Sequence, residues 1–280
     1  MTGSLLTQTR RLLRQFDLRA RKGLGQHFLI DGEVLKLITS AAELTPTDVV
    51  VEVGPGLGIL TRELAQKAHR VIAIELDNKL AAALEQTLAP LNNVTIINDD
   101  VLKIEPENLI TEPASGYKLV ANLPYYITSP VLRHFLEAQA KPKVMIVMVQ
   151  KEVAEAIVAK PGKMSLLSVS VQFYGEPRII GRVPAQCFYP APKVDSAILR
   201  IEPSPQPRVA VADERSFFDL VRAGFTAPRK QLLNSLAQGL GVSKAEVLSL
   251  LERAGIAPQR RAETLSLEEW ARLRQVFKEE

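Results

Sequence analysis

Val49-Val50-Val51-Glu52-Val53-Gly54-Pro55-Gly56-Leu57-Gly58 is an apolar, β-branched run that breaks into a glycine-rich turn. A run of this kind suits the buried centre of a parallel sheet, and a helix-like stretch over 60–68 follows at once. Glycines let a backbone approach a ligand closely, and the carboxyl end of such a strand is where open α/β sheets bind nucleotides. Dinucleotide enzymes carry G-x-G-x-x-G, whereas residue 59 here is Ile and the spacing is G-x-G-x-G. Seventeen residues beyond Gly58 the next β-branched run ends at Glu75, placed to accept hydrogen bonds from two ribose hydroxyls. That carboxylate serves a dinucleotide and S-adenosylmethionine equally well.

Outward from this unit, short runs alternate with helical patterns. The strands expected are Val49–Val53, Val71–Glu75, Val94–Asn98, Lys118–Asn122, Val144–Val149, Leu166–Tyr174 and Ser196–Glu202, with helices over 60–68, 77–89 and 129–139. The pattern reads as a mostly parallel sheet covered by helices on both faces, with an antiparallel edge late in the chain. Alternate prolines at 203, 205 and 207 stop it. Helices follow over Ser216–Phe225 and Arg229–Leu240, the second ended by Gly241. Ser243 with Glu246, and Ser266 with Glu269, have the spacing of capping boxes. The expected division is a basic arm (1–24), an α/β domain (25–203) and a small all-helical domain (208–280).

At 280 residues, 46% of them apolar and 24% charged, the chain can bury a core without staples. Its one cysteine, Cys187, excludes an internal disulfide framework, and histidines scattered at 27, 69 and 134 give no zinc spacing, so no metal is expected. The longest strongly apolar run, Val144–Val149, is far short of the roughly 20 residues of a membrane span. These features fit a cytoplasmic protein with no membrane partner, and a monomer is the default because no oligomer interface is legible. The net charge of +4 is uneven: residues 1–25 carry six Lys/Arg against one acid, 26–205 carry 17 against 20, and 206–280 carry 12 against 10. Basic ends around a near-neutral body suit a polyanion, although an Arg-rich leader is also how an organelle transit peptide reads.

Two further strand ends carry chemistry. Asn98-Asp99-Asp100 closes the third run, where a carboxylate can accept from an adenine amino group or simply cap a turn. Lys118–Ala121 runs into Asn122-Leu123-Pro124-Tyr125. An exocyclic aromatic amine is a poor nucleophile because its lone pair is delocalised into the ring. If the Asn122 side-chain oxygen and the Leu123 carbonyl both accept its N–H bonds, the nitrogen is drawn toward tetrahedral geometry and the pair is freed to attack a sulfonium methyl. Pro124 fixes the turn on which those acceptors converge, and Tyr125 can stack on an extruded base.

Gln26-His27-Phe28-Leu29, Glu52 to Gly58, Glu75, Asp100, Asn122 to Tyr125, and Phe188-Tyr189-Pro190-Ala191-Pro192-Lys193-Val194-Asp195-Ser196 together resemble the ribosomal RNA adenine N6-methyltransferase family. The resemblance runs from about Lys22 to the C-terminus and is nearest to the dimethyltransferases of small-subunit (16S) ribosomal RNA. It implies a Rossmann-like α/β methyltransferase fold with a mostly parallel seven-stranded sheet, and S-adenosylmethionine as cofactor. On the cofactor it would place His27, Leu29, Gly54, Gly56, Glu75, Asp100 and Asn122. It would also set Phe188 opposite Tyr125 as a sandwich for the target adenine, and make Arg222, Arg229 and Lys230 contacts to ribosomal RNA in the assembling subunit. The implied reaction dimethylates two adjacent adenines in the 3′-terminal hairpin loop. The rival readings are a large-subunit enzyme of the macrolide-resistance kind, an assembly checkpoint factor, and a nicotinamide oxidoreductase.

Overall fold

In the computed structural model, which describes residues 4–21, 23, 25–110 and 116–278, the glycine turn joins two elements at the centre of an α/β sheet. In chain order come α1 (Leu5–Gln15), β1 (Phe28–Leu29), α2 (Gly32–Ala41), β2 (Val49–Val53), α3 (Ile59–Ala65), β3 (Arg70–Ile74), α4 (Asn78–Leu88) and β4 (Val94–Ile97). Next are α5 (Pro106–Leu109), β5 (Tyr117–Asn122), α6 (Thr128–Glu137), β6 (Met145–Gln150), α7 (Lys151–Ile157), α8 (Leu166–Tyr174), β7 (Gly175–Val183), β8 (Phe188–Tyr189) and β9 (Ser196–Pro203). The chain then runs through α9 (Glu214–Phe225), α10 (Leu232–Leu240), α11 (Lys244–Arg253) and α12 (Leu267–Lys278).

The large sheet has seven strands in the order β4-β3-β2-β5-β6-β9-β7. The pairs β2/β3, β3/β4, β2/β5 and β5/β6 are parallel, and β9 returns antiparallel to β6. Every residue of β2 is buried, which is why its sequence is valine at every position but Glu52 and not a polar–apolar alternation. The strand order reverses between β2 and β5, so their carboxyl ends flank the crevice where such sheets bind ligands. A second, two-stranded pair joins β1 to β8, with Leu29 opposite Phe188. Helix α1 folds onto the sheet unit through Leu12, which is buried in one cluster with Phe28, Leu57 and Leu80. Lys22 and Leu24, at the end of the expected arm, lie outside the described residues. Among the described residues no helix is long and apolar enough to cross a membrane.

Two expectations fail on local grounds. Leu166–Tyr174 alternates like a strand yet forms α8. Ser165 and Ser168 make a reciprocal capping box, and the Ser170 hydroxyl donates to the Leu166 carbonyl at 2.9 Å, so the alternate serines are satisfied within a helix. The neighbouring strand is instead β7, which begins at Gly175. Similarly, α10 begins at Leu232, because a turn in which the Lys230 N–H donates to the Ala227 carbonyl at 2.9 Å precedes it. Arg229 and Lys230 therefore sit in a connection and not on a helix.

The chain divides into two compact units, Met1–Ala154 with Pro177–Pro203, and Glu155–Glu176 with Ser204–Glu280. This differs from a linear cut at residue 203. Phe173 of α8 stacks on Phe217 with ring centroids 4.8 Å apart and meets Phe218 edge-on at 5.0 Å, so α8 shares the core of the helical unit.

Candidate functional site

A cavity opens at the carboxyl ends of β2, β3 and β5, and its wall includes His27, Leu29, Gly54, Gly56, Glu75, Asp100 and Asn122 to Tyr125. Residues far apart in sequence meet here because His27 and Leu29 lie at or on the short strand β1 and the others lie at or just after the carboxyl ends of β2 to β5.

The floor is backbone. Gly54 and Gly56 have φ of +69° and +60°, a region L side chains rarely adopt. A Cβ on Gly56 would lie 3.2 Å from the Phe28 ring, and one on Gly54 would lie 3.4 Å from Pro124 Cδ. The Glu75 carboxylate accepts the Gly56 N–H at 3.1 Å through Oε2 and the Asp77 N–H at 2.9 Å through Oε1. In dinucleotide sites the amides of this turn face a pyrophosphate; here one of them is engaged by a carboxylate. Burial pushes the Glu75 carboxyl above its usual range even so.

Glu52, which the sequence placed in a strand and at the head of the glycine motif without a role of its own, is a wall residue as well. It is 1% exposed, its Oε2 has no hydrogen-bond partner among the described residues, and burial pushes its carboxyl up to about 8, with the Glu75 charge adding to the shift. An acid inside an otherwise apolar buried run was the available signal. With Glu52 protonated below about pH 8, the described wall still carries the carboxyl groups of Glu75, Asp99 and Asp100 and no lysine or arginine. Such a lining repels a pyrophosphate and favours an organic cation that carries a ribose.

The opposite wall is the turn after β5. Asn122 Nδ2 donates to the His27 backbone carbonyl at 3.1 Å, which ties down the donor end of the amide and leaves Oδ1 as an acceptor. The Leu123 N–H extends the sheet to the Met148 carbonyl at 3.1 Å. Pro124 precedes a 3₁₀ turn over Tyr125–Ile127. The Tyr125 hydroxyl is 2.8 Å from Ser196 Oγ, and its ring stacks with His27 at 5.8 Å between centroids and 28° between planes. His27 Nδ1 is 2.7 Å from the Pro190 carbonyl, which only accepts, so Nδ1 carries the proton. Tyr125 and His27 are therefore held from two sides by the segment that contains Phe188 to Ser196.

Asp100 caps the turn Val101–Lys103, accepting the Leu102 N–H at 3.0 Å, and also borders the cavity. Phe188 departs from expectation. It is 3% exposed, packs in one core cluster with Leu29, Leu35 and Ile38, and does not line the cavity beside Tyr125. Its pairing opposite Leu29 on the β1/β8 ladder accounts for that burial. Arg222, Arg229 and Lys230 belong to the helical unit and are exposed. Arg222 is 2.5 Å from Asp219 on its own helix, and Lys230 Nζ donates to Gln238 at 3.2 Å.

Known proteins resemble the chain over nearly its whole length. The model of the family described as ribosomal RNA adenine dimethylase matches residues 17–279. Ribosomal RNA small subunit methyltransferase A of Dehalococcoides mccartyi is 56% identical over 278 residues, covering 99% of this chain and 95% of that one. Its counterpart from Pelotomaculum thermopropionicum is 47% identical over 279 residues, covering 96% and 95%. Among solved structures, a dimethyladenosine transferase from Plasmodium falciparum superposes with a TM-score of 0.74 at 25% identity, covering 90% of this chain and 98% of that one. The 23S rRNA methyltransferase ErmE superposes with a TM-score of 0.69 at 31% identity, covering 90% and 99%. Matched over nearly its whole length, the chain belongs to the ribosomal RNA adenine dimethylase family.

Proposed function

We propose that the chain methylates the exocyclic amines of two adjacent adenines in the 3′-terminal hairpin loop of small-subunit ribosomal RNA, giving N6,N6-dimethyladenosine while the subunit assembles. The observation that carries the chemistry is the Asn122 amide, whose donor end is fixed by the His27 carbonyl at the rim of an acid-lined cavity. The choice of small-subunit RNA rests on the relatives of that name, which are 47–56% identical from end to end, against 31% for the 23S enzyme.

The residues present fit S-adenosylmethionine: a side-chain-free floor at Gly54 and Gly56, the Glu75 carboxylate for a ribose, and an acidic lining for a sulfonium and an ammonium group. His27, Leu29, Asp100 and Asn122 complete its surroundings. When bound, the cofactor supplies a methyl group on positively charged sulfur. Asn122 Oδ1 and the Leu123 carbonyl accept the two N–H bonds of the target amine and localise its lone pair. With the cofactor held by the glycine floor and the Glu75 side, Asn122 and Leu123 would present the amine nitrogen to the methyl that the cofactor would supply. The alkylated nitrogen is then acidic and releases its proton to water, so no side chain has to act as a base beforehand. Tyr125, anchored by Ser196, stacks on the extruded base. Arg222, Arg229 and Lys230 hold ribosomal RNA through phosphate contacts.

Replacing Asn122 by Ala should lower single-turnover methyl transfer by about 10²–10³-fold, the usual scale for losing one oriented polar group at a reacting centre. S-adenosylmethionine affinity by calorimetry should change only a few-fold. A variant that transfers at the wild-type rate would refute the role given to the amide.

A further inference from the structure

Helix α1 and the segment after it carry Arg10, Arg11, Arg14, Arg19 and Arg21, all exposed. Arg21 is engaged by Asp77 at 3.3 Å. The guanidinium of Arg10 lies over the Tyr189 ring, 5.2 Å from its centroid. Between them and the following turn is an open recess of about 610 Å³, whose wall includes Arg10, Arg14, Arg19, Tyr189 and Pro190, with Asp17 as the acid among them. Three guanidinium groups against one carboxylate leave the recess positive, the opposite of the cofactor cavity.

The recess is coupled to the methyl-acceptor turn. The Pro190 carbonyl in its wall accepts from His27 Nδ1 at 2.7 Å, and His27 stacks on Tyr125. A guanidinium held over an aromatic face by its charge still has N–H donors to offer a phosphate. Holding it there removes side-chain entropy that binding would otherwise cost.

We infer that this recess is a backbone-phosphate subsite for the RNA strand that delivers the target adenine. Arg10, positioned by Tyr189, binds a phosphodiester flanking that adenine together with Arg14 and Arg19. The inference rests on the proposed function, because it is the base docked at Tyr125 that brings a phosphate here.

The test is the affinity of the full-length protein for unmethylated small subunits across a salt series. Arg10→Gln and Arg14→Gln should each flatten the slope of log K against log salt by about 0.7–0.9, one phosphate contact apiece. Both should raise KM for the subunit several-fold while kcat and S-adenosylmethionine affinity stay unchanged. Arg11→Gln, exposed but outside the recess, should change the slope less. Tyr189→Leu removes no charge yet should weaken subunit binding, and Tyr189→Phe should restore it, with retained cofactor affinity reporting an intact fold. Unchanged slopes, an Arg11→Gln effect equal to that of Arg10→Gln, or Tyr189→Leu and Tyr189→Phe behaving alike would each overturn the subsite. A wild-type protein that methylates small subunits while the Arg10 and Arg14 variants keep its slope overturns the subsite alone. A wild-type protein that methylates no small-subunit RNA overturns the functional reading with it.

Discussion

Glu52 is the residue whose environment departs furthest from its ordinary chemistry. Folding raises its carboxyl from 4.5 to about 8, so between those values the folded chain holds a proton that the unfolded chain releases. The stability present below about pH 4.5 is therefore lost as the pH rises toward 8, by at most about 1.4 kcal/mol per pH unit. Glu52→Gln keeps the shape and removes the titration. Its melting temperature should gain on that of the wild type through this window and run parallel to it above about pH 8; melting profiles that stay parallel throughout would show that Glu52 is not buried as described. Glu75 and Asn122 were legible in the sequence because they sit at strand ends, where side chains meet ligands. Glu52 was not, since one acid inside a strand reads as an interruption. Nor was the partner of Asn122, because a backbone carbonyl such as that of His27 leaves no mark on a side-chain motif.

Elements whose residues are buried on both faces announced themselves. Strands β2 to β6 were each readable to within a residue or so, because the parallel strands of a helix-covered sheet are mainly apolar, β-branched runs; β4, at the edge, is only partly buried but keeps that composition. The failure at α8 has the opposite cause: its alternation of Leu, Ser, Val, Ser and Val suits a half-buried strand, and only capping and an all-round apolar environment reveal the helix. The ladder of β1 with β8 has two residues on each side, too few for any period to show, yet it decides what Phe188 does. Phe188→Ala should cost about 3–5 kcal/mol of stability, as for other buried aromatic truncations, measured by denaturant unfolding. Phe188→Leu, which refills most of the volume, should be far more stable and should still transfer methyl groups. A Leu variant that is stable but inactive would return the ring to the base-stacking role and show that it leaves the core when RNA binds.

For the whole molecule, charge distribution and chain organisation bear on function separately. Arg10, Arg11 and Arg14 lie on the surface of α1 in the sheet unit and Arg19 and Arg21 just after it, while the cavity of that unit is acidic. A polyanion and a small cation are thereby sorted to different places by sign alone. The helical unit is assembled from two stretches of chain, Glu155–Glu176 and Ser204–Glu280. No local signal foretells that, because the tie is the contact of Phe173 with Phe217 and Phe218, more than 40 residues further on. The proline-rich break after Glu202 was visible, whereas the earlier crossing within 155–176 was not.

The nucleoside that this protein makes distinguishes its substrate and its chemistry at once. Purified protein with methyl-labelled S-adenosylmethionine should be given unmethylated small subunits and, separately, unmethylated large-subunit RNA, and the digested products identified by chromatography and mass. Labelled N6,N6-dimethyladenosine from small subunits alone is the expected result. Label in large-subunit RNA instead would keep the chemistry but contradict the substrate, and no label in either would contradict the reading of the acidic cavity as a methyl-donor site.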